Sequence, residues 1–361
     1  MLEQSQISEL NKIAKQMVAP GKGILAADES EKTVGKRFAS IGLENNEDNR
    51  RAFREMLLTA PGEGEFISGV ILHDETIRQN VGMGLDPSLQ GKSFVAILQA
   101  EGILPGIKVD LGLADMPSSP NEKLTKGLDG LAARLKEYVF LGAKFCKWRS
   151  VITIGDGIPT DANIRQNAKD LATYALVCQE NGLVPMVEPE VMLDGNHSIE
   201  QCQEASLKIL TALFEELKND GVAIEGIILK TNMVLPGKDS GTKASPEEVA
   251  KATVENFKKV LPGSLTGVAF LSGGQSEIEA TENLNAMNQL GALPWTLTFS
   301  YARALQDGAT KAWQGKKENL ELAQKVFLHR AKMNSLASQG KYSEEMEKDF
   351  TTSAGGETSQ D

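Results

Sequence analysis

Glu225-Gly-Ile-Ile-Leu-Lys-Thr-Asn232 ends a short apolar run on a single lysine. Ile227, Ile228 and Leu229 are apolar on both faces of an extended chain, as in a parallel strand covered from both sides, and Asn232 breaks the run. An amine at such a strand end is a candidate nucleophile, because in its unprotonated form it adds to a carbonyl and condenses to an imine. With an ordinary amine pKa of ~10.4, that role demands surroundings that disfavour charge, which an apolar strand end beside other cations supplies. The structural alternative is a lysine that snorkels from a strand tip into solvent.

Other apolar runs end in charge as well. Asp28 follows ILAA; Lys108 alternates with Asp110, Lys147 with Arg149, and Glu188 with Glu190 around Pro189, which marks a strand end. Alternate residues of a strand point the same way, so each pair shares a face. Lys147 and Arg149 supply the cations that keep the Lys230 amine neutral. Glu188, one run before Lys230, is placed for carbinolamine dehydration, and Asp28 for the proton of a substrate hydroxyl. Ser272-Gly-Gly-Gln-Ser276 and Ser300-Tyr-Ala-Arg303 bring backbone amides and an arginine to two helix starts, the usual anion receptor in a barrel's last two loops. This set suits carbonyl chemistry on a sugar phosphate. Ion pairs that merely brace a barrel interior are the bland alternative.

Something must gather residues that lie so far apart in sequence. Eight Gly-, Val- and Ile-rich runs recur: 21–28, 68–74, 106–112, 145–152, 184–191, 225–232, 267–274 and 297–303. Most intervals carry helical patterns with start signals: Ser245-Pro246-Glu247-Glu248 is a capping box with proline at the first helical position, and Ser198 with Gln201 and Ser276 with Glu279 repeat the box. Alternating strand and helix at this period predicts a closed (β/α)₈ TIM barrel whose strand ends ring one site. No GxGxxG follows the first run, which argues against a dinucleotide fold. Ile7, Leu10, Ile13, Ala14 and Met17 make an amphipathic helix over 3–18 that precedes the barrel. Residues 1–342 are expected to form a single barrel domain, and 343–361 a flexible tail, polar and rich in Gly, Ser and Thr.

Composition sets outer bounds. A net charge of −11 argues against non-specific nucleic-acid or anionic-membrane binding, so an anionic substrate needs a local basic cluster. Cys146, Cys178 and Cys202 are an odd set without close pairing in sequence, unlike a disulfide framework or zinc ribbon. The N-terminus lacks a secretory leader and no apolar run approaches membrane-spanning length, so a cytoplasmic protein is expected.

LAADES (25–30), GIKVD (106–110), AKFCKWR (143–149), VPMVEPE (184–190), ILKTNMV (228–234), FLSGGQSE (270–277) and FSYARALQ (299–306) resemble, in order, the signatures of class I fructose-1,6-bisphosphate aldolase. The resemblance runs through GKKENL (315–320) to QGKY (339–342). It implies reversible cleavage of fructose 1,6-bisphosphate to dihydroxyacetone phosphate and glyceraldehyde 3-phosphate, by a cytoplasmic homotetramer without metal or other cofactor, in glycolysis and gluconeogenesis. Carried onto this chain, it makes Lys230 the Schiff-base lysine, Glu188 the principal acid/base, Asp28 the group assisting the C4 hydroxyl proton, and Lys147 the cation between them. Ser272, Gly273, Ala302 and Arg303 correspond to the C1-phosphate site. Lys108, Arg149, Ser30 and Arg37 fall near the other phosphate, and Glu190 lies beside them. Thr231 and Ala302 depart from the family's usual Pro and Gly, and the tail ends in Asp361 with no tyrosine after Tyr342.

Three rival readings have distinct requirements. A metal-dependent aldolase needs clustered histidines, whereas His73, His197 and His329 are scattered. A monophosphate aldolase needs one basic cluster where two are visible, and an inactive scaffold needs none of these positions.

Overall fold

A computed structural model describes residues 2–82 and 87–348. Ten strands follow in chain order: β1 (Gly23–Ala27), β2 (Ile67–Leu72), β3 (Leu104–Lys108), β4 (Leu113–Met116), β5 (Ser119–Thr125), β6 (Phe145–Ile152), β7 (Val184–Val191), β8 (Ile228–Thr231), β9 (Gly267–Phe270) and β10 (Thr296–Tyr301). Eight of them close a parallel barrel in the order β1-β10-β9-β8-β7-β6-β3-β2, with helices between. The (β/α)₈ expectation holds. β4 and β5 form a separate antiparallel hairpin over a polar Pro- and Ser-containing stretch that the eight-run reading passed over.

Period-two alternation sends successive strand residues to opposite sides of the barrel wall. Cys146 and Trp148 of β6, Val187 of β7, Leu229 of β8, and Leu297, Phe299 and Tyr301 of β10 join the large cluster between strands and outer helices. Their sequence neighbours turn inward. Ile24, Phe145, Met186 and Ile228 fill the lower barrel as a second cluster, and two residues further along β6, β7 and β8 the same faces carry Lys147, Glu188 and Lys230.

That second cluster is completed from outside the barrel. Leu10, Ile13, Ala14 and Met17 of the helix Gln4–Met17 pack into it across the N-terminal strand ends. Asn11 fixes the helix there, donating to the Glu225 carbonyl at 2.8 Å. Each fully buried Leu, Ile or Met side chain contributes roughly 1.5–3 kcal/mol, so the helix is part of the fold.

The expected capping boxes at Ser198, Ser245 and Ser276 are all formed, the last with Glu279 accepting from the Ser276 N–H at 2.8 Å. Pro189 does not end its strand as expected. β7 pairs with β6 from Phe145↔Val184 through Ile152↔Val191, but with β8 only at Met186 and Val187. The missing N–H therefore removes no ladder bond to β8.

Of the expected tail, residues 343–348 are described and 349–361 lie outside the described residues. Glu347 is tied to the helix Leu320–Ala337, accepting from Arg330 Nη1 at 2.5 Å and lying 2.7 Å from His329 Nε2, while the Tyr342 hydroxyl donates to it at 3.1 Å.

Candidate active site

Four charged side chains, three from strands and one from just past a fourth, meet at the C-terminal end of the barrel. Lys230, the third residue of β8, points its amine at Glu188 of β7, with Nζ 3.1 Å from Oε1. The other carboxylate oxygen, Oε2, lies 3.2 Å from Lys147 Nζ of β6, and Lys147 in turn lies 2.7 Å from Oδ2 of Asp28, just past β1. All four are buried. The sequence-predicted quartet is thus one continuous chain of alternating charge, Lys230–Glu188–Lys147–Asp28.

Burial alone would raise both carboxyl pKa values and lower that of Lys147, but the alternation outweighs it. The Asp28 carboxyl is held well below the usual range by Lys147, Lys230 and Lys108; Glu188 is held below it by Lys147, Lys230 and Arg149. Asp28, Glu188 and Asp110 push the Lys147 ammonium well above its ordinary value. Among the described residues Glu188 Oε2 accepts no hydrogen bond despite its ionic contact with Lys147, leaving a lone pair for a substrate proton.

One expected arrangement is corrected. Lys147 and Arg149 were expected to act as bare cations beside Lys230, yet each is matched by acid: Lys147 by Asp28 and Glu188, Arg149 by Glu190. The first ionic neighbour of Lys230 is Glu188. Neutralisation wins because an unpaired charge in a dry interior is costly.

The loops after the last two strands form the other half of the site. Ser272 is buried, and Gly273 runs so close to β7 that an added Cβ would lie 3.4 Å from Glu190 Oε1 and 2.8 Å from Leu271 Cδ1. Ala302 precedes the helix Arg303–Trp313 with φ −103°, outside the left-handed region, so alanine meets no steric bar there. Arg303 is exposed and makes no ion pair among the described residues.

The cations expected near a second phosphate are all internally paired. Lys108 contacts Asp110 Oδ1 at 2.6 Å and Arg149 contacts Glu190. Glu29 binds Arg37 at 2.8 Å through Oε1 and Arg54 at 2.7 Å through Oε2. Ser30 begins the helix Glu31–Ala39 with its hydroxyl 3.1 Å from that of Thr33. Asp110 lies beyond β3, which ends at Lys108, so these two do not share a strand face.

Several contributors were missed. Glu29 and Gln306 hold Arg37, and Glu29 also binds Arg54: Gln306 accepts from the Arg37 guanidinium and donates to the Ala26 carbonyl of β1 at 2.7 Å. The Asn232 side chain accepts from the Val191 N–H at 2.9 Å, locking the end of β7 against β8. Ser300 faces the barrel axis between outward-facing Phe299 and Tyr301, and its buried hydroxyl has no partner among the described residues. Its place in a period-two strand was the available signal.

The family model of fructose-bisphosphate aldolase class-I matches residues 9–357. The chain belongs to the class I fructose-bisphosphate aldolase family. Among similar aldolases, the Dictyostelium discoideum fructose-bisphosphate aldolase is 52% identical over 340 residues, 93% of each chain. Fructose-bisphosphate aldolase 4, cytosolic, of Arabidopsis thaliana is 53% identical over 324 residues, 90% of this chain and 81% of the relative. The Plasmodium falciparum aldolase, solved in complex with TRAP and a small-molecule inhibitor, superposes with a TM-score of 0.91 at 48% identity, covering 95% of this chain and 97% of that one. The resemblance inferred from the seven motifs is therefore correct, and the chain is a lyase of the aldolase class. No helix among the described residues is long and apolar enough to cross a membrane.

Proposed function

We propose that Lys230 carries reversible aldol cleavage of fructose 1,6-bisphosphate to dihydroxyacetone phosphate and glyceraldehyde 3-phosphate through a Schiff base. The observation that supports it most is the buried Lys230–Glu188–Lys147–Asp28 chain. Ionised Glu188 takes the proton that Lys230 gives up as its amine attacks the C2 carbonyl. One of the cations depressing Glu188 then vanishes, its carboxyl pKa climbs, and the same group returns the proton to the carbinolamine hydroxyl, which leaves as water. Asp28 takes the C4 hydroxyl proton while the C3–C4 bond breaks and its electron pair moves into the iminium. Lys147 holds both carboxylates and polarises the substrate oxygens between them. Protonation of the enamine and hydrolysis free the second triose phosphate.

For the C1 phosphate we assign Ser272, Gly273, Ala302 and Arg303, of which Arg303 has an uncommitted charge among the described residues. Lys108, Arg149, Ser30 and Arg37 serve the other phosphate, which must compete with Asp110, Glu190 and Glu29 for those cations; Glu190 orients Arg149. Residues 1–342 act as one catalytic domain with 343–361 as a tail. A cytoplasmic homotetramer in glycolysis and gluconeogenesis is the biological setting the family suggests, supported by cytosolic relatives and by exposed Leu111 and Leu113 at the start of the β4–β5 hairpin. Sedimentation equilibrium measures the subunit number.

The decisive experiment is borohydride reduction in the presence of dihydroxyacetone phosphate. A covalent adduct on Lys230 that Lys230→Ala abolishes is the expected result; an adduct on another residue overturns the assignment.

A further inference from the structure

Cys146 and Cys178, distant in sequence, meet in the layer behind the active site. Cys146 is in β6 beside Lys147 but faces outward, and Cys178 is in the last turn of the helix Asp161–Glu180. Their Sγ atoms are 2.8 Å apart with both thiols free and fully buried. Non-bonded heavy atoms rest at about 3.5–4.0 Å, whereas a disulfide bond is about 2.05 Å. The two sulfurs already stand roughly halfway from ordinary contact to bonding distance.

We propose that Cys146 and Cys178 are an oxidisable pair that closes into an intrachain disulfide with hydrogen peroxide as oxidant. One thiol, as thiolate, attacks a peroxide oxygen and becomes a sulfenic acid with release of water. The other attacks that sulfur, forming the S–S bond and expelling a second water. Two thiols lose two protons and two electrons, and one peroxide is reduced to two waters. The disulfide adds no atoms to the packed core.

Burial makes the resting pair slow, and it pushes the Cys178 thiol well above its ordinary pKa. Access requires the last helical turn to open, and the Gln179 amide, donating to the Ala223 carbonyl at 2.8 Å, resists this until mild denaturant loosens it. Cys178 is followed by only Gln179 and Glu180 before the helix stops, and terminal turns open at far lower cost than the whole domain. Closure leaves the catalytic face in place, because Lys147 points to the opposite side of β6. The Tyr174 hydroxyl, donating to the Cys146 carbonyl at 2.6 Å, already ties this helix to this strand. Cys202 stands apart, with its Sγ 4.0 Å from the Ser206 hydroxyl.

The test treats the full-length protein with hydrogen peroxide in low, non-denaturing urea, quenches, denatures and alkylates. The expected product has one alkylated cysteine, Cys202, and a linked Cys146/Cys178 peptide pair that a dithiol reductant separates. Its Tm is several degrees above that of the reduced protein and its aldol cleavage rate is unchanged. Cys146→Ala and Cys178→Ser each abolish the link and the Tm gain. Three alkylatable cysteines after treatment, a link to Cys202, or oxidation only to sulfinic acid overturns the proposal. Loss of activity on closure overturns it too, since the bond would then have displaced β6.

Discussion

Glu188 holds Lys230 at 3.1 Å with one carboxylate oxygen and Lys147 at 3.2 Å with the other, so one buried anion divides two buried cations. Glu188→Gln keeps the shape and removes both the charge and the proton shuttle. A fall of ~10²–10⁴ in kcat is expected, the range general acid–base groups supply. Borohydride trapping should slow equally while still marking Lys230. A variant that traps at the original rate would assign the proton transfers elsewhere.

Lys147→Met strands Asp28 and Glu188 as facing buried carboxylates. Removing one partner of a buried ionic set costs about 3–5 kcal/mol, measurable by urea unfolding. Both carboxyl pKa values must then rise, because burial raises them and their largest opposing charge is gone. The acid limb of the kcat/KM profile should therefore move to higher pH; an unmoved limb would contradict the alternating-charge reading.

Arg303→Ala tests the phosphate loop. The side chain is exposed and makes no ion pair among the described residues, so stability should hold within ~0.5 kcal/mol. Loss of a charge-assisted contact should cost ~1.5–3 kcal/mol in kcat/KM for the bisphosphate. Unchanged kinetics would remove Arg303 from the site.

Glu347 gives a pH-dependent prediction outside the active site. Despite partial burial, His329, Arg330 and Tyr342 lower its pKa from 4.5 to about 2. A depressed carboxyl stabilises the fold above its unfolded pKa, and that contribution is lost as pH falls through the folded value. Glu347→Gln should therefore narrow its stability deficit relative to the parent between pH 4.5 and about 2. A deficit constant across that window would show that the ion pairs contribute nothing.

The alternation of Lys147 with Arg149 and of Glu188 with Glu190 was legible because strand geometry fixes which side chains share a face. The barrel was legible for the same reason. Pairing between strands was not: that Lys147 bridges Asp28 and Glu188, or that Glu29 forks Arg37 and Arg54, depends on register and on loop paths that no local spacing encodes. The β4–β5 hairpin escaped because β4 is only four residues long, β5 is mostly polar and both are largely exposed or half-exposed, without the apolar run that announces a buried strand. Cys146 and Cys178 escaped as a pair because a strand and the helix covering it bring them together from 32 positions apart.

The helix Gln4–Met17 and the apolar side chains filling the lower barrel give the site a solid floor. Ketose, both trioses and the water that hydrolyses the imine must then share a single mouth at the opposite end. On the proposed mechanism the aldehyde triose, held by no covalent bond, leaves through that mouth first, while the triose carried on Lys230 waits for water to enter by the same route.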